Sequence, residues 1–154
     1  MKIGVISDTH NFFDPAIQKL FHGVEHILHG GDIGMPSILE QLRSIAPVTA
    51  VRGNTDEPQL PYHITETVTL AGRKFLLHHI VNPHSLEDSV AWQIEREQPQ
   101  VVVFGHTHKP FFERIGSMTF FNPGYAGKSR FGMERTLAIL HCSAKEFRPE
   151  YIKL

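Results

Sequence analysis

The sequence predicts a mixed α/β domain in which two sheets pack face to face with helices outside them. Short apolar runs alternate with helix-like segments through residues 2–54, which is typical of a parallel sheet. After residue 64 the pattern changes to a hairpin and closely spaced antiparallel strands, with one more helix and one more buried strand. A chain of 154 residues has the length of one ordinary domain, so we expect residues 1–154 to form a single domain.

The N-terminal half is predicted to contain three strands separated by two helices. The apolar runs that indicate the strands are 2–7, 26–32 and 47–54. Asp14 as N-cap and Pro15 at the first helical position begin a helix that runs to about residue 22. A second helix is predicted from Pro36 to Ile45, where apolar residues recur on one face.

The C-terminal half is predicted to begin with a hairpin whose strands flank Ala71-Gly72. A helix capped by Ser85 should follow and run to about Glu97. The apolar run 101–104 indicates another buried strand, and the remaining segments are typical of short antiparallel strands. Together with the first half, this pattern gives two sheets rather than one.

Composition excludes several classes of protein. Hydrophobic residues make up 41% of the chain and charged residues 20%, as in globular proteins. The formal net charge of -1 argues against nonspecific binding to nucleic acid or to an anionic membrane. Cys142 is the only cysteine, so neither an internal disulfide nor a thiolate zinc cluster is expected. Neither a signal peptide nor a membrane-spanning run is recognisable, and we expect a cytoplasmic location.

Metal-ligand side chains begin where the predicted buried strands end. The segments are Ser7-Asp8-Thr9-His10, Gly30-Gly31-Asp32, Gly53-Asn54-Thr55-Asp56, His78-His79 and Gly105-His106-Thr107-His108. In an open α/β sheet, ligands bind beyond the carboxyl ends of the strands. We therefore expect these segments to converge on one edge of the molecule. Each motif alone is weak, because Gly-Asp and Gly-Asn are most often plain turns.

The mixture of carboxylate, amide and imidazole suits Mn²⁺, Fe or catalytic Zn²⁺ with open coordination positions. The segments offer more donors than one ion can use. Two ions about 3.5–4 Å apart, sharing one bridging carboxylate, would use them all. The total of 11 histidines agrees with metal binding but is weak support by itself.

The motifs also resemble those of a known family, the calcineurin-like metallophosphoesterases. The matching motifs, in chain order, are Asp8-x-His10, Gly31-Asp32, Gly53-Asn54-x-Asp56, His78 and Gly105-His106-x-His108. The resemblance covers nearly the whole chain and is closest to the short bacterial and archaeal phosphodiesterases. It implies a four-layer αββα sandwich of two mixed sheets flanked by helices, with a two-metal site at one edge.

The resemblance also implies a ligand set and a reaction. The first ion would be held by Asp8, His10, Asp32 and His108. The second would be held by Asp32, Asn54, His78 and His106, with Asp32 as the bridge. Mn²⁺ is the expected metal, and Ni²⁺, Fe²⁺ or Zn²⁺ are alternatives. Hydroxide activated by the two ions would then hydrolyse a phosphodiester.

Three departures from the family pattern leave roles open. Thr55 stands where many members have a histidine that assists the leaving group, so substrates with good leaving groups, such as aryl phosphodiesters, are expected. His79 competes with His78 for the ligand role, because the family tends to have His-Gly-His here. Tyr125 replaces a serine, and either Tyr125 or Arg130 could contact substrate. Asp56 is expected to orient the Gly53-Asn54 turn.

Two other functions compete with a phosphodiesterase. The first is a non-catalytic protein-binding scaffold on the same fold, similar to the retromer sorting subunit. The second is a hydrolase acting on nucleic acid, although no basic stripe is present to give a strong nucleic-acid footprint. The expected partner is a small phosphodiester, and the apolar stretch 118–121 could form the edge of a homo-oligomer.

Overall fold

The structure is a computed structural model that describes residues 1–143 and 145–154. Within these residues the strands in chain order are β1 Lys2–Ile6, β2 His26–His29, β3 Val48–Ala50, β4 Thr65–Leu70, β5 Arg73–His78, β6 Val101–Val103, β7 Phe111–Ile115, β8 Met118–Asn122, β9 Thr136–Cys142 and β10 Phe147–Lys153. The helices are α1 Ala16–Leu20, α2 Ser37–Arg43 and α3 Asp88–Glu97. Two mixed five-stranded sheets and flanking helices confirm the predicted sandwich.

Each sheet combines parallel and antiparallel pairs. The first sheet has the order β10-β9-β1-β2-β3, in which β1, β2 and β3 are parallel and β9 and β10 are antiparallel additions. The second has the order β4-β5-β6-β8-β7, with a parallel centre of β5, β6 and β8. The carboxyl ends of the parallel strands therefore lie together at one edge of each sheet.

Alternation along the strands divides the apolar side chains into three clusters. Val5 and Leu77 belong to the cluster between the two sheets. Ile6 belongs to a second cluster, which α1 and α2 cover on the outer face of the first sheet. Leu76 belongs to a third, which α3 covers on the outer face of the second sheet. The layers are thus helix, sheet, sheet and helix, as the resemblance implied.

The start of α1 agrees with the sequence-based prediction, whereas the start of α3 differs from it. The Asp14 carboxylate accepts a hydrogen bond of 2.9 Å from the Ala16 amide, which supports the first turn of α1. Ser85, by contrast, does not cap α3. Its amide donates to the Asn82 carbonyl in a turn, and the helix begins at Asp88. In the part of the chain that the structure describes, no helix is long and apolar enough to cross a membrane.

Candidate metal centre

The candidate site lies where strands of both sheets end. The first sheet provides Asp8 and His10 after β1, Asp32 after β2 and Asn54 after β3. The second provides the histidines that end or follow β5 and β6. The sequence-based expectation of one shared edge therefore matches the placement of these segments.

Asp8 is buried, and one of its oxygens has no hydrogen-bond partner. Its Oδ2 accepts hydrogen bonds from the Ser7 hydroxyl at 2.6 Å and from the His106 amide at 3.2 Å. Its Oδ1 is unpartnered among the described residues and lies 3.2 Å from His108 Nε2. The carboxylate is thus held by one oxygen, while the other is left free to bind a cation.

Asp32 has the same arrangement. Its Oδ1 accepts a hydrogen bond of 2.9 Å from the Thr55 amide. Its Oδ2 points between His79 Nε2 at 3.3 Å and His10 Nε2 at 3.8 Å. Burial alone would raise the pKa of Asp32, but the neighbouring His79 imidazole and the Thr55 amide hold that pKa well below its usual range. Asp32 therefore stays ionised and faces histidines of both sheets, which is the placement a bridging carboxylate needs.

His79, rather than His78, enters the site. His79 Nδ1 donates a 2.7 Å hydrogen bond to the Gly30 carbonyl, which leaves Nε2 as the free ring nitrogen. His79 Nε2 is buried, has no hydrogen-bond partner among the described residues, and faces Asp32 and Asp8. His78 Nδ1 instead lies 2.8 Å from the Thr65 hydroxyl on the neighbouring strand.

Strand alternation explains this difference from the expected choice of His78. Phe75 and Leu77 face the space between the sheets, whereas Leu76 faces α3. His79 continues the first series and His78 the second. His79 is thus aimed inward, at the carboxylates that follow β1 and β2.

The remaining predicted side chains form two pairs. His10 Nε2 and His108 Nε2 lie 3.4 Å apart, with Asp8 beside both. His106 Nδ1 lies 3.0 Å from Asn54 Oδ1, and the His106 and His79 rings meet edge to face at 5.5 Å. The first pair borders Asp8 and the second borders His79, so the donors fall into two groups with Asp32 between them.

These groups fit divalent cations on chemical grounds. The donor atoms form two sets, and within each set they lie within 4.8 Å of one another. One set is Asp8, His10 and His108, and the other is Asp8, Asp32 and His79. The ion pairs of the described residues include no lysine or arginine with either carboxylate. Buried carboxylates without a compensating cation are costly. Burial alone would lower the pKa of His79, but the Asp32 and Asp8 carboxylates raise it, because they favour a positive charge beside them.

Five of these side chains stand on strained backbone. Their φ angles lie in the left-handed region: Asp8 (56°), His10 (45°), Asp32 (53°), His106 (66°) and His108 (59°). Asp and His are among the non-glycine residues that tolerate this region best. Strain of this kind persists only where the surroundings enforce it, and it clusters at functional sites.

Asp56 joins two of the ligand-bearing loops. Its carboxylate accepts backbone hydrogen bonds from Ile33 at 3.1 Å, Gly34 at 2.8 Å and Gly53 at 2.8 Å. These amides flank Asp32 and Asn54 in the chain. Asp56 thus orients the Gly53-Asn54 turn, as expected from the sequence, and also fastens it to the loop after β2.

His29, a buried histidine outside the two groups of donors, connects the loops after β1 and β2. His29 Nδ1 accepts a hydrogen bond from the Gly31 amide, and Nε2 lies 3.1 Å from the Thr9 hydroxyl, which donates to the Ile33 carbonyl. Burial lowers the pKa of His29 to about 4, so the ring is neutral in the folded protein. This network gives His29 a supporting role for the two loops.

Two further side chains support the His106–His108 segment. Asn122, which is fully buried, donates to the Gly105 carbonyl at 2.8 Å and to the Thr107 hydroxyl at 3.1 Å. Tyr125, also fully buried, places its ring 4.7 Å from that of His108 and donates its hydroxyl hydrogen to the Lys128 carbonyl. Tyr125 is therefore a packing residue, and the Arg130 guanidinium lies over its ring at 5.5 Å. Asn122 was not among the residues that the sequence pattern predicted for the site.

The fold and this centre together define a metallophosphoesterase-type domain. The family model for the calcineurin-like phosphoesterase superfamily domain matches residues 1–145. The chain belongs to this superfamily.

Comparison with individual proteins agrees with that assignment. A probable metallophosphoesterase of Methanothermobacter thermautotrophicus is 34% identical over 135 residues, which cover 80% of this chain and 76% of the relative. A phosphodiesterase of Methanocaldococcus jannaschii is 28% identical over 167 aligned positions, covering 96% and 97% of the two chains. Among solved structures, a single-residue mutant of Vps29 from Entamoeba histolytica superposes with a TM-score of 0.77 at 20% identity, covering 100% and 99% of the two chains. At that identity the likeness concerns the fold alone.

Proposed function

We propose that the protein is a phosphodiesterase that requires two divalent cations. One cation would be held by Asp8, His10, Asp32 and His108. The other would be held by Asp32, Asn54, His79 and His106. Asp32 would be shared, and Mn²⁺ is the expected metal, with Ni²⁺, Fe²⁺ and Zn²⁺ as alternatives. Two buried atoms, Asp8 Oδ1 and His79 Nε2, carry the proposal: they lie 4.0 Å apart and have no hydrogen-bond partner within residues 1–143 and 145–154. Within the same residues, neither Asp8 nor Asp32 forms an ion pair with a lysine or arginine.

When bound, such ions supply Lewis-acid stabilisation of phosphate oxygens and a source of hydroxide near neutral pH. The chain contributes the orientation of the donors. Ser7 fixes which oxygen of Asp8 is free, and Gly30 fixes the tautomer of His79. Thr55 Oγ1 lies 3.5 Å from His10 Nδ1, and a hydroxyl cannot protonate a leaving group at neutral pH. Aryl phosphodiesters, whose leaving groups need no proton, are therefore the expected small substrates.

The proposal can be tested with purified protein that is stripped by a chelator and then reloaded with Mn²⁺. We expect the stripped protein to be inactive on bis(4-nitrophenyl) phosphate, and the reloaded protein to bind two ions per chain and regain activity. Asp32→Asn should lose both metal and activity. Asp88→Asn, an exposed carboxylate at the start of α3, serves as the matched control. Activity that is unaffected by stripping would overturn the proposal.

A protein-binding scaffold on this fold is the competing hypothesis. It predicts that the metal-loaded protein turns over no compound in a broad panel of phosphodiesters and phosphomonoesters. Activity that depends on the metal, together with its loss in Asp32→Asn, would favour the enzyme. We further propose a cytosolic location and a small diester as the partner, since the net charge of -1 disfavours long nucleic-acid ligands.

A further inference from the structure

A groove of about 730 Å³ opens beside the candidate metal centre, on the side of the second sheet. His106 and Thr107, which belong to the segment between Gly105 and Lys109, line the side of the groove next to that centre. Ile80 and Glu87 line both this groove and a smaller recess, which is also lined by Asn54, His78 and His79. We call the larger one the aromatic groove; it is bordered by His106, a proposed ligand of the second ion.

The walls of the aromatic groove are mainly apolar. Phe104 and Phe111 meet edge to face with ring centroids 5.8 Å apart, and Val81 and Pro110 also line the groove. The His84 ring meets Phe111 edge to face at 6.5 Å, while its Nε2 lies 3.1 Å from Glu113 at the exposed rim. Lys109 stands at the same rim. A flat ring entering this groove would extend an existing edge-to-face cluster, a favoured aromatic arrangement.

We propose that the aromatic groove binds one ester substituent of the substrate and selects phosphodiesters in which that substituent is a flat aromatic ring. The inference rests on the proposed phosphodiesterase activity, in which the phosphate of the substrate would lie at the two ions. Each ester substituent on that phosphate would then lie against a surface next to the metal centre. The surface beyond His106 is concave and lined by phenylalanine, so it favours a ring over an alkyl or hydroxyl group.

Ser85 provides a way to close the groove without disturbing the fold. Its side chain is exposed and lines the groove. Its backbone amide donates a hydrogen bond to the Asn82 carbonyl, and a substitution of the side chain does not remove that bond. Ser85→Trp should fill the groove from its rim. Ser89→Trp places the same indole on an exposed position of α3, and Ser89 does not line the groove. Comparing the two separates occupation of the groove from a general effect of adding tryptophan.

The first readout is turnover of bis(4-nitrophenyl) phosphate by metal-loaded protein with a measured ion content. We expect Ser85→Trp to lower kcat/KM about tenfold or more, because one ring of the substrate can no longer be buried in the groove. Ser89→Trp should have the same kcat/KM as the wild type. The second readout is calorimetric binding of phenylphosphonate and methylphosphonate. Ser85→Trp should weaken phenylphosphonate binding about fivefold or more relative to methylphosphonate.

The outcomes distinguish this inference from the function on which it rests. A wild type that hydrolyses no diester contradicts the proposed function. A wild type that hydrolyses the diaryl ester, with Ser85→Trp matching Ser89→Trp in both readouts, overturns the groove assignment alone. Thymidine 5′-(4-nitrophenyl) phosphate and phenyl 4-nitrophenyl phosphate then identify the ring, because the ester that loses more turnover in Ser85→Trp carries the preferred substituent.

Discussion

His79 Nε2 lies 3.3 Å from Asp32 Oδ2, and this contact joins the two sheets at the candidate metal centre. Asp32 follows β2 of the first sheet, and His79 follows β5 of the second. The Gly30 carbonyl orients the histidine from the same loop that carries the aspartate. A loop that follows a strand of the first sheet thus orients a proposed metal ligand that the second sheet provides.

The first prediction concerns the choice between the two adjacent histidines. His79→Gln should reduce metal content and lower kcat/KM more than ~100-fold, because even residues that only support a ligand cost about 10- to 100-fold. His78→Gln is the matched control and should change kcat/KM less than about threefold, since the His78 ring contacts the Thr65 hydroxyl and neither Asp8 nor Asp32 among the described residues. Metal analysis and diester turnover measure both. Loss of metal in His78→Gln, with retention in His79→Gln, would contradict the assignment.

The second prediction concerns Asp56, whose carboxylate accepts three backbone hydrogen bonds from two loops. Asp56→Asn replaces one accepting oxygen by an amide donor, so at least one buried N–H loses its partner. We expect a loss of ~1–3 kcal/mol in the free energy of unfolding. Metal affinity should fall about 10- to 100-fold, because Asp32 and Asn54 lie in those loops. Urea unfolding and metal titration measure these effects.

Glu57→Gln is the control for Asp56→Asn. It makes the same chemical change at the next residue, which is exposed. It should alter neither stability nor metal affinity measurably. If Asp56→Asn behaves like this control, the carboxylate does not hold the two loops together.

The third prediction concerns the lack of space at Gly105. A Cβ at this position would overlap Ser7 Oγ and would lie 2.6 Å from Asp8 Oδ2 and 3.0 Å from His79 Nδ1. Gly105→Ala should therefore displace the groups that orient two proposed ligands, and metal binding should be lost. Isothermal titration with Mn²⁺ would detect this loss.

Gly116 in the turn between β7 and β8 gives the comparison. A Cβ there has no neighbour within 4 Å, although its φ of +63° is unfavourable for alanine. Gly116→Ala should cost ~1 kcal/mol of stability and leave metal binding intact. A Gly105→Ala protein that still binds two ions would show that the packing around Asp8 can relax.

The fourth prediction concerns His29 and the acid stability of metal-free protein. The pKa of His29 is about 4 in the folded state because of burial, against an ordinary value of 6.5. Between these values the unfolded chain binds more protons than the folded one, so stability falls as the pH falls through this window. The contribution lost by pH 4 is at most ~3 kcal/mol.

Chelator-treated wild type and His29→Gln should therefore differ in their pH dependence. The stability advantage of the wild type over the variant should shrink as the pH falls from 6.5 to 4, as measured by urea unfolding. His22→Gln, at an exposed position, controls for the removal of a histidine. A wild-type advantage that stays constant over this range would mean that His29 is not held neutral by the fold.

The sequence predicted the sandwich and the gathering of polar segments because both follow from strand periodicity and parallel topology. β1, β2 and β3 are parallel, so the segments after them must meet at one edge. To choose between His78 and His79, one must know which face of β5 each side chain takes at the end of the strand. A resemblance to a His-Gly-His motif does not provide that information. The start of α3 was misplaced because Ser85 is a good cap residue that here belongs to a turn.

Other features of the site depend on tertiary contacts and leave no periodic signal. The left-handed backbone at Asp8 and Asp32 is a conformation that persists only where the surrounding structure enforces it. The contacts of Asn122 with Gly105 and Thr107 join residues that are 17 and 15 positions apart. The aromatic groove likewise combines a loop after β5 with the segment before β7.

The proposed ligands all lie beyond the last residue of the strand that precedes them. Asp8 and His10 come after Ile6, Asp32 after His29, and His79 after His78. Replacing any of these side chains leaves the backbone hydrogen bonds between the strands of both sheets in place. The fold therefore does not depend on the proposed ligands, and a related chain that lacked them could keep the same two sheets for another purpose.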